Sequence, residues 1–325
     1  MSTTPDRMAS VAVVGSFNVD HVWRVPTLPQ PGATLSGEYA SGPGGKGFNQ
    51  AVASRRAGAT TAFVCALGED GGAQLARALC AGDGIDLRDF ACDVPTGTAG
   101  IYVDANGHNC IVIGAGANAR LEPAFVESAL AALAQPAVVL SQLESPVEAV
   151  AAALRCGRER GAVGILNPAP ANVAVPASLL ALADVLTPNE TEFAALIGRH
   201  VGERVEADDV AGLDQARFHA LCRELGDDAS VVVTLGASGC FVSHPDTNLR
   251  GDETACYRIA AEPVRVVDTT GAGDAFNGAL AASLALRQVA FARHLRFATR
   301  YAGLSTEHAG AASKMPRLAV DAELL

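Results

Sequence analysis

Short apolar runs recur along the chain, and amphipathic stretches fill most of the intervals between them. The first run, Val11-Ala12-Val13-Val14, stops at Gly15. Runs of the same kind occupy residues 62–67, 138–141, 163–166, 185–187 and 231–235. Each is aliphatic or β-branched and lacks the polar alternation of a half-exposed strand, so each reads as a strand buried on both faces. Residues 49–57, 72–81, 123–133, 147–160, 190–197 and 216–225 carry helical spacing. Strands alternating with helices predict a three-layer α/β fold, a mainly parallel sheet flanked by helices. Two long helices, at about 273–286 and 291–308, close the pattern and lead into a loop at 309–313. With no repeat and no linker, residues 1–325 read as one α/β domain. Ligands of such folds bind beyond the carboxyl ends of the strands.

Two regions break the alternation. Residues 22–41 are rich in Pro and Gly. Residues 98–113 read as a hairpin, Gly100-Ile101-Tyr102-Val103 and Cys110-Ile111-Val112-Ile113 about a turn at Asp104-Ala105-Asn106-Gly107. Together they predict a small β-sheet inserted in the domain, from segments at about 17–45 and 96–115. From pattern alone, a lid over a ligand cleft and an ordinary surface hairpin both fit. Trp23, inside the first segment, reads as packing or interface.

Hydrophobic residues make up 49% of the chain and charged residues 18%, which suits a large buried core. Aromatics are only 5%, so that core is aliphatic. The net charge is −11, and no basic stripe offers itself to nucleic acid. No apolar run reaches membrane-spanning length, and the polar N-terminus does not read as a signal peptide. The expected location is the cytoplasm. Eight cysteines form no CxxC pair and predict buried, reduced thiols. The seven histidines, His21 among them, show no metal spacing. An anionic ligand on so acidic a chain must find positive potential locally, in backbone N–H groups, a lysine or a metal.

The segment Asp268-Thr269-Thr270-Gly271-Ala272-Gly273-Asp274-Ala275-Phe276-Asn277-Gly278 supplies such a place. It follows the apolar residues 264–267, which read as a strand, and opens a helix. Glycines at 271 and 273 let a ligand approach the backbone, and the N–H groups of Gly271, Ala272 and Gly273 would face an anion at a helix N-terminus. Asp274 falls in the first turn, where it serves equally as a cap or as a general base beside a transferring phosphate. A dinucleotide fingerprint would need glycine where Phe276 stands.

A second glycine-rich segment, Ser41-Gly42-Pro43-Gly44-Gly45-Lys46-Gly47-Phe48-Asn49-Gln50-Ala51, fails the P-loop pattern because Lys46 is followed by Gly47. Four glycines within six residues before a helix exceed what a turn requires and imply a ligand. Lys46 and Asn49 offer donors to hydroxyl groups. Asn18 and Asp20, two residues apart after the first strand, point the same way if extended, and an Asp accepts two hydroxyl hydrogen bonds. Turn-forming polar residues account for that pair equally well.

Taken together, these segments resemble the ribokinase family of carbohydrate kinases, also called the PfkB family. Gly114-Ala115-Gly116-Ala117-Asn118, Gln142-Leu143-Glu144-Ser145-Pro146, Asn167-Pro168-Ala169-Pro170, Thr187-Pro188-Asn189-Glu190-Thr191-Glu192 and Thr234-Leu235-Gly236 extend the likeness over nearly the whole chain. The resemblance implies ATP-dependent phosphorylation of ribose at its 5-hydroxyl, with Asp274 as base and Gly271, Ala272 and Gly273 as anion hole. It implies sugar contacts from Asn18, Asp20, Gly44, Gly45, Lys46, Asn49, Glu144 and Asp274. It assigns ATP to Asn189, Thr234, Gly236, Gly273 and Asp274, and an indirect role at Mg2+ to Glu192. It further implies a monovalent K+ at Asp268, Thr270 and Ser313, and a homodimer paired through the lid. Ser313 follows Gly310 by three residues where the family pattern has four, and Lys314 takes that place. Phe48 replaces the usual alanine, and a phenyl ring there either packs or stacks on a base, as a nucleoside substrate would require. Another furanose or a nucleoside is the alternative substrate. A sensor without catalysis would lack an intact base and anion hole, and a dehydrogenase would need the missing fingerprint.

Overall fold

Val11, Ala12, Val13 and Val14 are all fully buried, because their strand has a parallel neighbour on each side and a helical layer on each face. The computed structural model describes residues 10–321. From the start of this stretch the chain runs β1 (Ser10–Val14), β2 (Asn18–Arg24), β3 (Glu38–Gly44), α1 (Lys46–Arg56), β4 (Thr60–Leu67), α2 (Gly71–Asp83), β5 (Asp86–Ala91), β6 (Gly97–Val103), β7 (Asn109–Gly114) and α3 (Pro123–Ala132). It continues through β8 (Val138–Ser141), α4 (Val147–Glu159), β9 (Val163–Leu166), α5 (Ala177–Leu180), β10 (Val185–Leu186), α6 (Glu190–His200), α7 (Ala207–Val210) and α8 (Gln215–Leu225). It closes with β11 (Ser230–Thr234), β12 (Cys240–Ser243), β13 (Cys256–Ile259), α9 (Ala272–Leu286) and α10 (Phe291–Ser305).

Nine strands form one sheet in the order β13-β12-β11-β10-β9-β8-β1-β4-β5. Every pairing from β11 through to β5 is parallel, and β12 and β13 close one edge antiparallel. Val11 and Val13 pack with α1 and α9 on one face, while Ala12 and Val14 pack against α3 and α4 on the other. This is the predicted α/β sandwich. The strand order turns at β1, which lies between β4 and β8, so a crevice opens beyond its carboxyl end.

The remaining strands form a separate four-stranded sheet, β3-β2-β6-β7, from the two off-pattern regions. β6 and β7 are the expected hairpin, with Gly107 at φ 84° in its turn. β2 and β3 join it from residues 18–24 and 38–44. Trp23 stacks on Tyr102 with ring centroids 5.3 Å apart and touches Tyr39 at 5.2 Å, so it packs within this lid sheet.

Three expectations change. Residues 264–267 are not a strand. β13 already occupies that edge of the large sheet, and Val266 and Val267 are 59% and 57% exposed in an extended loop held by Thr306, whose carbonyl accepts from the Val267 and Asp268 amides. The strands β5, β12 and β13 went unread; charged residues interrupt β5, β12 is only four residues long, and β13 is a short edge strand. The thiols of Cys65, Cys80, Cys92, Cys222 and Cys240 are buried as expected, but Cys110 is exposed on edge strand β7. Burial holds the thiols of Cys65, Cys80, Cys222 and Cys240 well above the ordinary value, so they are inert. Among the described residues, no helix is long and apolar enough to cross a membrane.

Candidate active site

The crevice beyond β1 gathers the polar residues singled out in the sequence. β2 sets Asn18, which is buried, and Asp20, which is half-buried, on one face of the lid. Asn18 accepts from Asn118 Nδ2 at 2.8 Å, and Asn118 also brackets Phe17 through both backbone groups. Asp20 lies directly over Gly44: a Cβ on Gly44 would fall 2.2 Å from either carboxylate oxygen. Gly45 turns the chain into α1 at φ 91°, and a Cβ there would sit 2.9 Å from the Ser16 carbonyl and the Asn18 amide. The glycine run is therefore what lets β1, β2 and α1 meet in one place.

Glu144, from the loop after β8, accepts from Ser16 Oγ at 2.5 Å and from the Lys46 amide at 3.0 Å. Burial, with Glu144 adding, pushes the Asp20 carboxyl up to about 6. Burial works against the Lys46 ammonium, but Asp274, Glu144 and Glu192 together outweigh it and hold Lys46 above its ordinary value. A lone cation thus stands among carboxylates from three different elements.

Asp274 is buried in the first turn of α9. Asn49 Nδ2 donates to its Oδ2 at 2.9 Å, and Gln50 Nε2 donates to its Oδ1 at 2.9 Å. It makes no cap bond to the helix, so its side chain is turned to α1 rather than back onto its own backbone. Burial raises its carboxyl above the usual range; Lys46 and the two amide bonds pull the other way without cancelling it. Burial thus makes this carboxyl a stronger proton acceptor than an exposed aspartate.

The helix start is left open by Gly271 at φ 77°. The amide of Ala272 donates to the Thr269 carbonyl at 3.1 Å, which engages it in a turn. The amides of Gly271, Gly273 and Asp274 find no acceptor among the described residues, so of the three donors expected from the sequence Gly271 and Gly273 are free, Ala272 is not, and the Asp274 amide stands free beside them. Next to them opens a cavity of about 560 Å³, lined by Asn189, Thr234, Gly236, Gly273, Phe276 and Thr306 among others. It is mostly apolar, as a nucleobase site should be. Four of the expected ATP residues are thereby brought to one wall, and Asn189 bridges directly to Thr234.

The pattern of pfkB family carbohydrate kinases matches residues 8–318. The chain belongs to this family. It is 37% identical over 310 residues to a ribokinase of Haemophilus influenzae, covering 94% of this chain and 95% of that one. The crystal structure of a ribokinase from Thermotoga maritima superposes with a TM-score of 0.80 at 31% identity, covering 94% and 95% of the two chains. An Arabidopsis thaliana ribokinase complexed with ribose and ATP superposes with a TM-score of 0.78 at 28% identity, again over 94% and 95%.

Other residues of the carbohydrate-kinase pattern are placed more individually. Asn189 and Glu192 form a capping box on α6: Asn189 Oδ1 accepts from the Glu192 amide at 2.8 Å, and Glu192 Oε2 from the Asn189 amide at 2.9 Å. Burial raises the Glu192 carboxyl, against its bond from Asn189 and the attraction of Lys46. Asp268 Oδ1 accepts from Thr270 through both its amide and its hydroxyl, and Oδ2 accepts from the Gly310 amide. Asp268 therefore ties the 268–271 and 309–313 loops together. Ser313 is exposed, and its carbonyl accepts from Arg56 at 3.2 Å. Phe48 is 1% exposed and packs edge-on against Phe17 at 5.1 Å; it fills the core and offers no face to a base.

Sequence reasoning did not single out Gln50 beyond its motif, nor Gln142, Asn167, Thr187 and Asn277. All five are buried and hydrogen-bonded around Asp274 and the α9 start. The signal available was a polar residue just past each of three apolar strands, Gln142, Asn167 and Thr187, where a plain core would have none.

Proposed function

We propose that this kinase transfers the γ-phosphate of ATP to the 5-hydroxyl of D-ribose, giving ribose 5-phosphate and ADP. One observation carries the reading. Asp274, buried and held at both oxygens, stands between the sugar-side loops and the free amides that border the 560 Å³ cavity. Asn18, Asp20, Gly44, Gly45, Lys46, Asn49 and Glu144 hold the sugar, with Asp20 and Glu144 accepting from hydroxyls. Adenine and ribose of ATP occupy the cavity along Asn189, Thr234 and Gly236, and the phosphates run toward Gly273. Asp274 takes the proton from the 5-hydroxyl as that oxygen bonds to the γ-phosphorus. The bond from this phosphorus to the β,γ-bridging oxygen breaks, and its electron pair leaves with ADP. The amides of Gly271, Gly273 and Asp274 stabilise charge on the phosphoryl group in flight.

Among the described residues, no three His, Cys, Asp or Glu side chains group as a metal site. Glu192, buried at the start of α6, would act only indirectly on a magnesium ion carried by the ATP phosphates, and such an ion would neutralise phosphate charge. The Asp268–Thr270–Gly310 junction fits a potassium ion held mainly by backbone carbonyls. Ser313 is the weakest part of that set, because Arg56 already draws on its carbonyl. Coupled ADP release should be fastest with ribose in a panel with deoxyribose, fructose and nucleosides, and faster with potassium than with a bulky organic cation. Ribose turning over no better than the others removes the substrate assignment. No release with any sugar removes the kinase reading itself.

The lid is the proposed seat of a homodimer. Tyr39 on one edge strand and Ile111, Val112 and Ile113 on the other are 49–64% exposed, an apolar surface on a thin sheet that a second copy would cover. Charging one side of the edge, Ile111→Lys with Ile113→Lys, should convert a dimer to a monomer by light scattering and raise KM for ribose. A parent chain that is already monomeric at micromolar concentration overturns this.

A further inference from the structure

Gln50 is not among the residues proposed to hold the sugar or the nucleotide, yet it is completely buried and spends its whole amide on defined partners. Its Nε2 donates to Asp274 Oδ1 at 2.9 Å and to Asn167 Oδ1 at 3.1 Å, while its Oε1 accepts from Gln142 Nε2 at 2.5 Å. The flanking groups leave only one orientation. Asn167 is itself fixed by donating to the Thr187 carbonyl at 2.8 Å, so its oxygen is the end presented to Gln50. Asp274 and Asn167 both present oxygens, so the Gln50 nitrogen must face them and its oxygen must face the Gln142 nitrogen.

The same chain of bonds reaches the helix from below. Thr187 Oγ donates to Asn277 Oδ1 at 2.6 Å, and Asn277 Nδ2 donates to the Gly273 carbonyl at 2.8 Å. Asn167 and Thr187 stand just beyond β9 and β10, and Gln142 just beyond β8. The ends of three consecutive sheet strands thus hold both the carboxylate and the turn that carries the free amides.

We infer that Gln50 is a positioning residue for the phosphoryl-transfer step: locked by Gln142 and Asn167, its amide fixes one oxygen of Asp274 and keeps that carboxyl in its ionised form. The inference rests on the assignment of Asp274 as the base. Both oxygens of an ionised carboxylate accept, so two N–H donors from α1 suit the charged state and not the protonated one. The charged groups facing Asp274 are Lys46 from α1, Glu144 from the loop after β8, and Glu192 from α6. Lys46 favours the ionised form. Glu144 and Glu192 oppose it, as does burial. Gln50 adds to the favourable side without adding charge, in a place where a second cation would have to be desolvated.

Gln50→Met keeps length and volume and removes the donor. Losing a buried hydrogen bond to a charged group should raise the pKa of Asp274, so the acid limb of transfer moves to higher pH by about one unit. Single-turnover transfer at saturating ribose and ATP is the right readout, because it isolates chemistry from product release. Saturation also keeps the titration of Asp20 in the free protein out of the profile. Below the limb the variant should be about tenfold slower, with the gap closing as pH rises. Gln142→Met, which frees the Gln50 amide to turn, should move the limb the same way by less, and it serves where Gln50→Met fails to fold. A rate lowered equally at every pH, with the limb unmoved, assigns Gln50 a structural role and overturns the inference. Asp274→Asn separates the two levels: if it retains transfer, the base assignment fails. If it is inactive while both glutamine variants leave the limb in place, only the role of Gln50 fails.

Discussion

Asp274→Asn should lower kcat by about 10²- to 10⁴-fold while KM for ribose and ATP stays within a few-fold. The amide matches the carboxylate in shape but cannot take a proton from the sugar hydroxyl. It also cannot satisfy both neighbours. Asn49 and Gln50 each point an N–H at one oxygen of Asp274, so one would face the new NH2 group instead. The substituted side chain is expected to settle against one donor and leave the other unpaired, which adds to the loss of the base. Asn18, Asp20 and Glu144, the residues proposed to hold the sugar, come from other elements and keep their own bonds, which is why binding should survive. A coupled assay with initial rates over ribose and ATP concentrations separates the two effects. A kcat within a few-fold of the parent clears Asp274 of its role, whatever happens to KM.

Much of this arrangement was legible before any coordinates. Strands buried on both faces need uninterrupted apolar runs, and β1, β4, β8, β9, β10 and β11 all carry them. The lid was visible because its turn and its Pro and Gly content fit neither layer. The α9 start was visible because glycine flanks a carboxylate where a helix opens. Residues 264–267 misled for the same reason that β1 did not: a short β-branched run looks alike whether a sheet edge is free to receive it or not. Nothing local told that β13 had taken the edge.

The polar network was illegible for a different cause. Gln50 meets Gln142, Asn167 and Asp274 across 92, 117 and 224 residues of chain. Each of those residues alone reads as an ordinary polar position after a strand or within a helix. Only their convergence beyond neighbouring strand ends makes them a support for the base, and that convergence is a property of strand order, β9-β8-β1, rather than of spacing. The same holds for the charge around Lys46. A single lysine among glycines suggested a hydroxyl donor, whereas the fold places three carboxylates from separate elements about it.

The two glycines of the proposed anion hole should respond oppositely to alanine, although they are two residues apart. Gly271 has φ 77°, a left-handed conformation that costs an L-residue roughly 1–2 kcal/mol. A Cβ there would also stand 2.9 Å from the Ala311 Cβ, so the turn has to move off the 309–313 loop. The amides of Gly271, Gly273 and Asp274 would then no longer converge, and loss of one such donor costs about 10²- to 10³-fold in rate. Gly271→Ala should therefore lose both Tm and kcat. Gly273 lies in the first turn of α9 without positive φ, and a Cβ on it meets nothing within 4 Å. Gly273→Ala should keep or slightly raise Tm, since alanine is the better helix former by roughly 1 kcal/mol. Its methyl borders the nucleotide cavity, so the expected cost appears in KM for ATP. Thermal melts with initial-rate kinetics on both variants distinguish the roles. If Gly273→Ala melts as far below the parent as Gly271→Ala does, the glycines serve the fold of the turn, and the donor geometry proposed for the phosphoryl group is wrong.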